Sequence, residues 1–278
     1  MVIDCKQIKS KQIEALKAEF AELDKKPKLQ IIVVGSLDAS QVYVRNKKQL
    51  GEEVGVEVDV VHVPETITEA QLIELLDQAN SDKSVDGLFV QLPVPEHISE
   101  EKIINRIAPE KDVDGFSFIS SGKVMAGVDT MNPCTADAVI TILNEVNVPI
   151  EGSNIVIAGR SNIVGKPLAN LLINMGATVT VANSKTKNIK KLIDNADVFI
   201  SAIGRAKHYD QSYFENRTDL TIIDVGINRD EHGKLCGDVD FTAVAPHVKA
   251  ITPVPGGVGV LTVVHVMKNM LKAVNKEN

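Results

Sequence analysis

Asn154-Ile155-Val156-Ile157-Ala158-Gly159-Arg160-Ser161-Asn162-Ile163-Val164-Gly165-Lys166-Pro167 is the stretch on which the fold turns. An apolar run leads into a glycine turn, and a helical pattern follows directly. Strand, glycine turn and helix in succession open a Rossmann unit. The turn needs a residue without a side chain, and the free N–H groups at the helix start attract a pyrophosphate. Pro167 fits the first helical turn, where its missing donor costs nothing. The spacing is not the strict G-x-G-x-x-G, so taken alone it fits an ordinary tight strand-to-helix turn better.

The next strand sharpens the reading. Thr178 to Ala182 ends in Asn183-Ser184-Lys185-Thr186, about where NAD-binding chains carry the acidic residue that holds the ribose 2′-hydroxyl. No carboxylate stands there. A hydroxyl and a lysine, with Arg160 in the first turn, suit a 2′-phosphate, so the local chemistry favours NADP over NAD; the alternative is a solvated polar loop.

At 278 residues the chain is long enough for two domains, and 44% hydrophobic content is ample for burying their cores. A net charge of -7 offers no electrostatic footprint for nucleic acid or an anionic membrane surface. No stretch is long and apolar enough to span a bilayer, and Met1 to Lys6 lacks the apolar core of a signal peptide, so the expected location is cytoplasmic. Cys5, Cys134 and Cys236 are too scattered for a disulfide framework or a zinc site, and the six histidines show no ligand spacing; no metal is expected.

Strands alternate with helices throughout, which argues for an α/β fold with mainly parallel sheets. In the first half, strands are expected at Leu29 to Val34, Val56 to Val63 and Gly87 to Gln91. The helix from about Thr68 to Ala79 opens on a capping box of Thr68 and Gln71, with Leu72, Leu75, Leu76 and Ala79 as its buried stripe. From about residue 140 a second α/β set begins, with strands near 154–158, 178–182, 197–203 and 220–225. The last helix, Val260 to Val274, follows Pro255-Gly256-Gly257-Val258-Gly259.

The first half carries chemistry of its own. Asp38 can cap a helix on which Ser40, Tyr43 and Lys47 share roughly one face, so a tyrosine and a lysine one turn apart can enter one cleft. The alternative is a solvated face, since Arg45 and Lys48 are neighbours. Gln91-Leu92-Pro93-Val94-Pro95 ends an apolar strand, and strand carboxyl ends are where ligands dock in open α/β sheets. Lys111-Asp112-Val113-Asp114-Gly115-Phe116 is a further candidate, with a capped turn as its alternative.

Together these pieces resemble one family, the bifunctional methylenetetrahydrofolate dehydrogenase/cyclohydrolases. The resemblance rests on Ala39 to Lys47, Val90-Gln91-Leu92-Pro93, Lys111 to Phe116, Pro133-Cys134-Thr135, Gly159 to Pro167 and Thr252 to Gly259, in the family's order across nearly the whole chain. Departures occur at Ala136-Asp137-Ala138, Val260-Leu261 and Asn183, where the family usually carries proline and glycine, proline-methionine, and histidine.

The resemblance implies an N-terminal α/β catalytic, folate-binding domain over 1–140, completed by the final helix at 260–278. It further implies an NADP-binding Rossmann domain over 141–259, a folate cleft between the two, and a cytoplasmic homodimer. The implied reaction oxidises 5,10-methylenetetrahydrofolate with NADP and then hydrolyses the methenyl product to 10-formyltetrahydrofolate. Lys47 would be the general acid/base of the hydrolysis, oriented by Gln91. Tyr43 would stack on the folate, and Asp114 would accept from the pterin edge. Ser40, Leu92, Pro255, Gly256 and Gly257 would complete the folate contacts. Arg160 and Ser184 would hold the 2′-phosphate, with Ser161 and Gly165 at the pyrophosphate. Gly159, Thr135, Ile203, Ile227 and Thr262 would line the rest of the cofactor path. A short-chain dehydrogenase shares the Tyr-x-x-x-Lys spacing of Tyr43 and Lys47, but there the glycine turn precedes the tyrosine. A non-catalytic nucleotide-binding regulator on the same fold is the third reading.

Overall fold

A computed structural model describes residues 1–35 and 38–275, and for 38–43 the backbone alone. The chain divides into two compact units, Lys11–Cys134 with Val263–Asn278 and Met1–Ser10 with Thr135–Thr262. In chain order the elements begin with α1 (Cys5–Ala21), β1 (Lys28–Val34), α2 (Asp38–Val54), β2 (Glu57–Val63), α3 (Glu69–Ser81) and β3 (Gly87–Val90). Three helices follow, α4 (Glu100–Arg106), α5 (Phe118–Met125) and α6 (Cys134–Glu145). Then come β4 (Asn154–Ala158), α7 (Gly165–Asn174), β5 (Thr178–Ala182), α8 (Ile189–Ile193), β6 (Val198–Ser201) and β7 (Thr221–Asp224). The chain continues through β8 (Asn228–Arg229), β9 (Leu235–Cys236), α9 (Phe241–Val244), β10 (Ala250–Ile251) and α10 (Gly259–Asn275). No helix among the described residues is long and apolar enough to cross a membrane.

The unit holding β1 to β3 is built on a parallel sheet of order β2-β1-β3. Ile31 to Val34 form an unbroken buried run, as expected of a strand covered on both faces. α3 starts where the capping box places it: the Thr68 hydroxyl accepts from Gln71 N–H at 3.2 Å, and Gln71 Oε1 accepts from Thr68 N–H at 3.0 Å. Its Leu72, Leu76 and Ala79 pack with Ile32, Val34, Leu88 and Val90, while Leu75 is half-buried at the rim. Asp112 bridges Leu88 in parallel beyond β3, so the segment after Lys111 runs along the sheet edge.

The other unit carries a parallel sheet of order β10-β7-β6-β4-β5. The chain starts at β4, steps out to β5 and returns across β4 to β6. The strand order therefore reverses between β4 and β6, where a ligand crevice opens at the carboxyl ends. The strand expected at 197–203 ends early, at Ser201, because the Ile203 N–H turns away from the sheet to Asp238 Oδ2 at 2.7 Å. Phe199 anchors the core of this unit in an aromatic cluster, with ring centroids 5.0 Å from Tyr209 and 5.5 Å from Phe214; Tyr213 stands 5.1 Å from Tyr209.

Residues 1–10 group with the residues of this second sheet. Ile3 N–H donates to Ile251 O at 2.9 Å and Ile251 N–H to Met1 O at 3.0 Å, so the start of the chain adds an edge to β10. Such pairing leaves no periodicity to read.

Candidate functional site

Lys47 lies on α2 between exposed neighbours, yet it is only 8% exposed, whereas the Lys48 side chain is 51% exposed. The solvated-face reading therefore fails at this one position. The Lys47 ammonium lies 3.8 Å from the Phe89 ring centroid, 3.4 Å from Gln91 Oε1 and 3.8 Å from Asp114 Oδ1. An aromatic face, an amide oxygen and a carboxylate hold a desolvated cation in one orientation. Gln91 follows β3 at the carboxyl end of the sheet; its Nε2 donates to Leu92 O at 2.9 Å, which fixes Oε1 toward the lysine. Burial holds the Asp114 carboxyl above its usual range, with Lys47 pulling the other way and Asp112 adding to the rise. Ser40 and Tyr43 sit on the same helix as Lys47, but their side chains lie outside the described residues.

The capped-turn reading of 111–116 holds for the residues that flank Asp114. Lys111 Nζ donates to the Ala79, Asn80 and Asp82 carbonyls at 2.7 to 3.0 Å, a buried cation on the C-terminus of α3. Asp112 accepts from the N–H groups of Gly115, Phe116 and Ser117 and from the Ser120 hydroxyl. Gly115 has φ +72°, and a Cβ there would meet the Asn132 backbone at 2.6 Å. From α10, Asn269 Nδ2 donates to Val113 O at 2.8 Å and Asn132 O at 2.9 Å. A turn bound on every side presents Asp114 to Lys47.

The glycine turn has the tightness that its sequence implies. A Cβ on Gly159, at φ +127°, would meet Ala202 O at 2.3 Å, and one on Gly165 would meet Gly159 O at 2.2 Å. The turn thus brings β4, β6 and the start of α7 to backbone contact at the crevice. The amides expected to be free at the helix start are partly taken. Val164 and Gly165 N–H donate to Ser161 Oγ at 3.2 and 3.4 Å, and Lys166 N–H to Ser161 O at 3.0 Å, so Ser161 closes the turn that leads into α7.

A groove of about 520 Å³ opens beside this turn, lined by Gly159, Arg160, Ser184, Ile203, Arg205 and His208 among others. Arg160, Ser184 and Ile203 were expected there; Arg205 and His208 had no sequence signal. Asn183 and Thr186 order the loop after β5, through Asn183 N–H to Thr186 Oγ1 at 2.9 Å and Lys185 N–H to Asn183 Oδ1 at 3.0 Å. Two arginines and a serine hydroxyl lining one groove fit a phosphate-bearing nucleotide. Ser161, Gly165, Thr135, Ile227 and Thr262 are in the same unit but do not line this groove. Ile227 lies 3.4 Å from the Cβ position of Gly259, and the Thr262 hydroxyl donates to Gly259 O at 3.0 Å. Ile227, Gly259 and Thr262 thereby form a second cluster, and Pro255, Gly256 and Gly257 lead into it along the chain. Among the described residues no group of histidine, cysteine, aspartate or glutamate could hold a metal ion.

Behind the groove lies a buried carboxylate, Asp224, at the end of β7. It accepts from the N–H groups of Gly226, Asp238 and Val239 at 2.8 to 3.1 Å, yet burial, with Asp238 adding, pushes it up to about 7. An unfolded aspartate titrates near 4, so between about pH 4 and pH 7 the folded chain binds the extra proton and stability falls as pH rises. Asp224→Asn is expected to flatten that slope. Thermal melting of parent and variant across this range measures it, and two parallel curves would refute the assignment.

Residues 3–114 match the tetrahydrofolate dehydrogenase/cyclohydrolase catalytic domain, and residues 133–278 match the tetrahydrofolate dehydrogenase/cyclohydrolase NAD(P)-binding domain. The chain is 44% identical over 278 residues to the bifunctional protein FolD of Listeria innocua, covering 99% of this chain and 97% of that one. Among solved structures, the bifunctional FolD methylenetetrahydrofolate dehydrogenase/cyclohydrolase of Campylobacter jejuni superposes with a TM-score of 0.96 at 39% identity, covering 100% and 99% of the two chains. The Trypanosoma brucei methylenetetrahydrofolate dehydrogenase-cyclohydrolase, solved with NADP and an inhibitor, gives 0.93 at 32% identity, covering 100% and 98%. With a lysine, glutamine and aspartate gathered in one unit and a nucleotide groove in the other, the chain belongs to the tetrahydrofolate dehydrogenase/cyclohydrolase family.

Proposed function

We propose that Lys47, Gln91 and Asp114 handle tetrahydrofolate derivatives, in the unit Lys11–Cys134 with Val263–Asn278, and that the groove beside Gly159 holds NADP. The observation that carries this reading is the buried Lys47 ammonium held by Gln91 and Asp114. In this reading the enzyme oxidises 5,10-methylenetetrahydrofolate to the methenyl cation and hydrolyses that cation to 10-formyltetrahydrofolate. NADP supplies the hydride acceptor when bound. Asp114 accepts hydrogen bonds from the pterin's amino-pyrimidine edge and so fixes the ring. Lys47 then manages the protons as water adds to the methenyl carbon and the ring opens, with Gln91 orienting the amine. Tyr43 and Ser40 on α2, with Leu92, complete the folate contacts of this unit. Thr135, Ser161, Gly165, Ile227 and Thr262 complete the cofactor path. The setting is a cytoplasmic homodimer, on the family's resemblance.

The direct test is absorbance-monitored turnover of methylenetetrahydrofolate with NADP and NAD in parallel, followed by decay of the methenyl product. Absence of either step in the folded protein would overturn the reading. Cofactor choice has its own test. Charge-assisted hydrogen bonds to a 2′-phosphate carry roughly 1.5 to 3 kcal/mol. Arg160→Ala is therefore expected to raise KM for NADP at least about tenfold and to leave NAD nearly unaffected. Equal losses with both cofactors would show that Arg160 does not read the phosphate.

A further inference from the structure

Asp238 is fully buried, and four neutral donors converge on its carboxylate. Oδ2 accepts from the Ser201 hydroxyl at 2.8 Å and Ile203 N–H at 2.7 Å; Oδ1 accepts from Arg205 N–H at 2.8 Å and Asn228 Nδ2 at 2.9 Å. Three of these donors come from 201–205, the end of β6 and the irregular loop that follows it. That loop forms one wall of the groove through Ala202, Ile203 and Arg205. The fourth donor, Asn228, directly follows Ile227. Ala202 is also the residue against which Gly159 makes its closest approach, so a shift of this loop displaces both the groove wall and the glycine turn.

The carboxylate is itself held in place. Asp238 N–H and Val239 N–H donate to the two oxygens of Asp224, and a Cβ on Gly226 would lie 2.2 Å from Asp238 Oδ1. Two buried carboxylates in series thus tie the ends of β6 and β7 together. Burying a charge is costly unless every oxygen is bonded, and here both oxygens are bonded, each with one donor from the groove wall, Ile203 N–H and Arg205 N–H. A loop with few ladder bonds of its own is ordered before any ligand arrives, which spares the ligand the entropy of ordering it.

We propose that Asp238 is the positioning residue of the nucleotide groove, fixing the loop of Ile203 and Arg205 in the shape that receives the cofactor. The proposal rests on the reading of this groove as the NADP site. Asp238→Asn keeps the shape of the side chain but turns an NH₂ toward one pair of donors. It is expected to raise KM for NADP and for NAD alike, each by about tenfold or more, with kcat at saturating cofactor within about threefold of the parent. Hydrolysis of methenyltetrahydrofolate, which consumes no cofactor, should stay within about twofold. Ser201→Ala, which removes one donor of the four and leaves the charge in place, is expected to raise both KM values about threefold.

A folded Asp238→Asn enzyme with parental KM values for both cofactors would overturn the proposal. So would a fall in methenyl hydrolysis that tracks the loss of cofactor affinity, because Asp238 would then serve only the fold. If Asp238→Asn does not fold, Ser201→Ala decides, and its parental KM for NADP overturns the proposal. Failure of the groove reading looks different: parent enzyme without cofactor-dependent turnover. Where the parent turns over and Arg160→Ala weakens NADP while the Asp238 and Ser201 variants do not, the groove reading stands and the role of Asp238 falls.

Discussion

Replacing Lys47 with methionine is expected to lower methenyltetrahydrofolate hydrolysis by about 100-fold or more, the usual scale for a lost general acid/base. Methionine keeps an apolar stem of similar length and deletes the Nζ that stands over Phe89 and meets Gln91 and Asp114. Hydride transfer depends mainly on positioning the methylene carbon, so dehydrogenase activity should survive in part and the absorbing methenyl product should accumulate. Lys48→Met, one position along on the exposed side of α2, serves as the control and should change neither step. Hydrolysis by folded Lys47→Met within a few-fold of the parent would reduce Lys47 to a packing lysine.

Asp114→Ala should instead lower both activities together. On the proposed role it removes an acceptor from the pterin edge and leaves substrate donors unpaired, which costs about 1 to 3 kcal/mol or more, roughly 5- to 150-fold. The surrounding turn should keep its shape, because Asp112 and Asn269, not Asp114, hold its backbone. Calorimetric titration with the folate is the direct check. Parental affinity in this variant would leave Asp114 as one more turn residue.

The contrast between Asp112 and Asp114 shows what could be read from the sequence alone. Both carboxylates stand in one short motif, and spacing cannot tell which oxygen faces backbone and which faces the site. Thr68 with Gln71, and Gly159 with Gly165, were legible because a capping box and a strand-to-helix turn are local arrangements whose partners lie within a few residues. Phe89 beneath Lys47, Asn269 reaching from α10, and the four donors on Asp238 were not, because each pairs residues far apart in the chain. The same holds for the early end of β6: apolar periodicity runs on through Ile203, and only the distant Asp238 explains why its N–H leaves the sheet. Burial likewise separates Lys47 from Lys48, which look alike in sequence.

The aromatic cluster around Phe199 also gives the chain an optical reporter of its own. The protein has no tryptophan and three tyrosines, and two of these, Tyr209 and Tyr213, sit edge to face within that cluster. Tyr209 reaches the wall of the groove, and burial pushes its phenol up to about 12, so it stays protonated through any ordinary assay. Near-ultraviolet ellipticity and tyrosine emission are therefore weighted two to one toward the unit of β4 to β7, with Tyr43 on α2 the one tyrosine in the unit of β1 to β3. A chain of two units need not melt in one step. Following it by tyrosine signal and by far-ultraviolet signal in parallel separates the loss of the nucleotide-binding half from the loss of the whole.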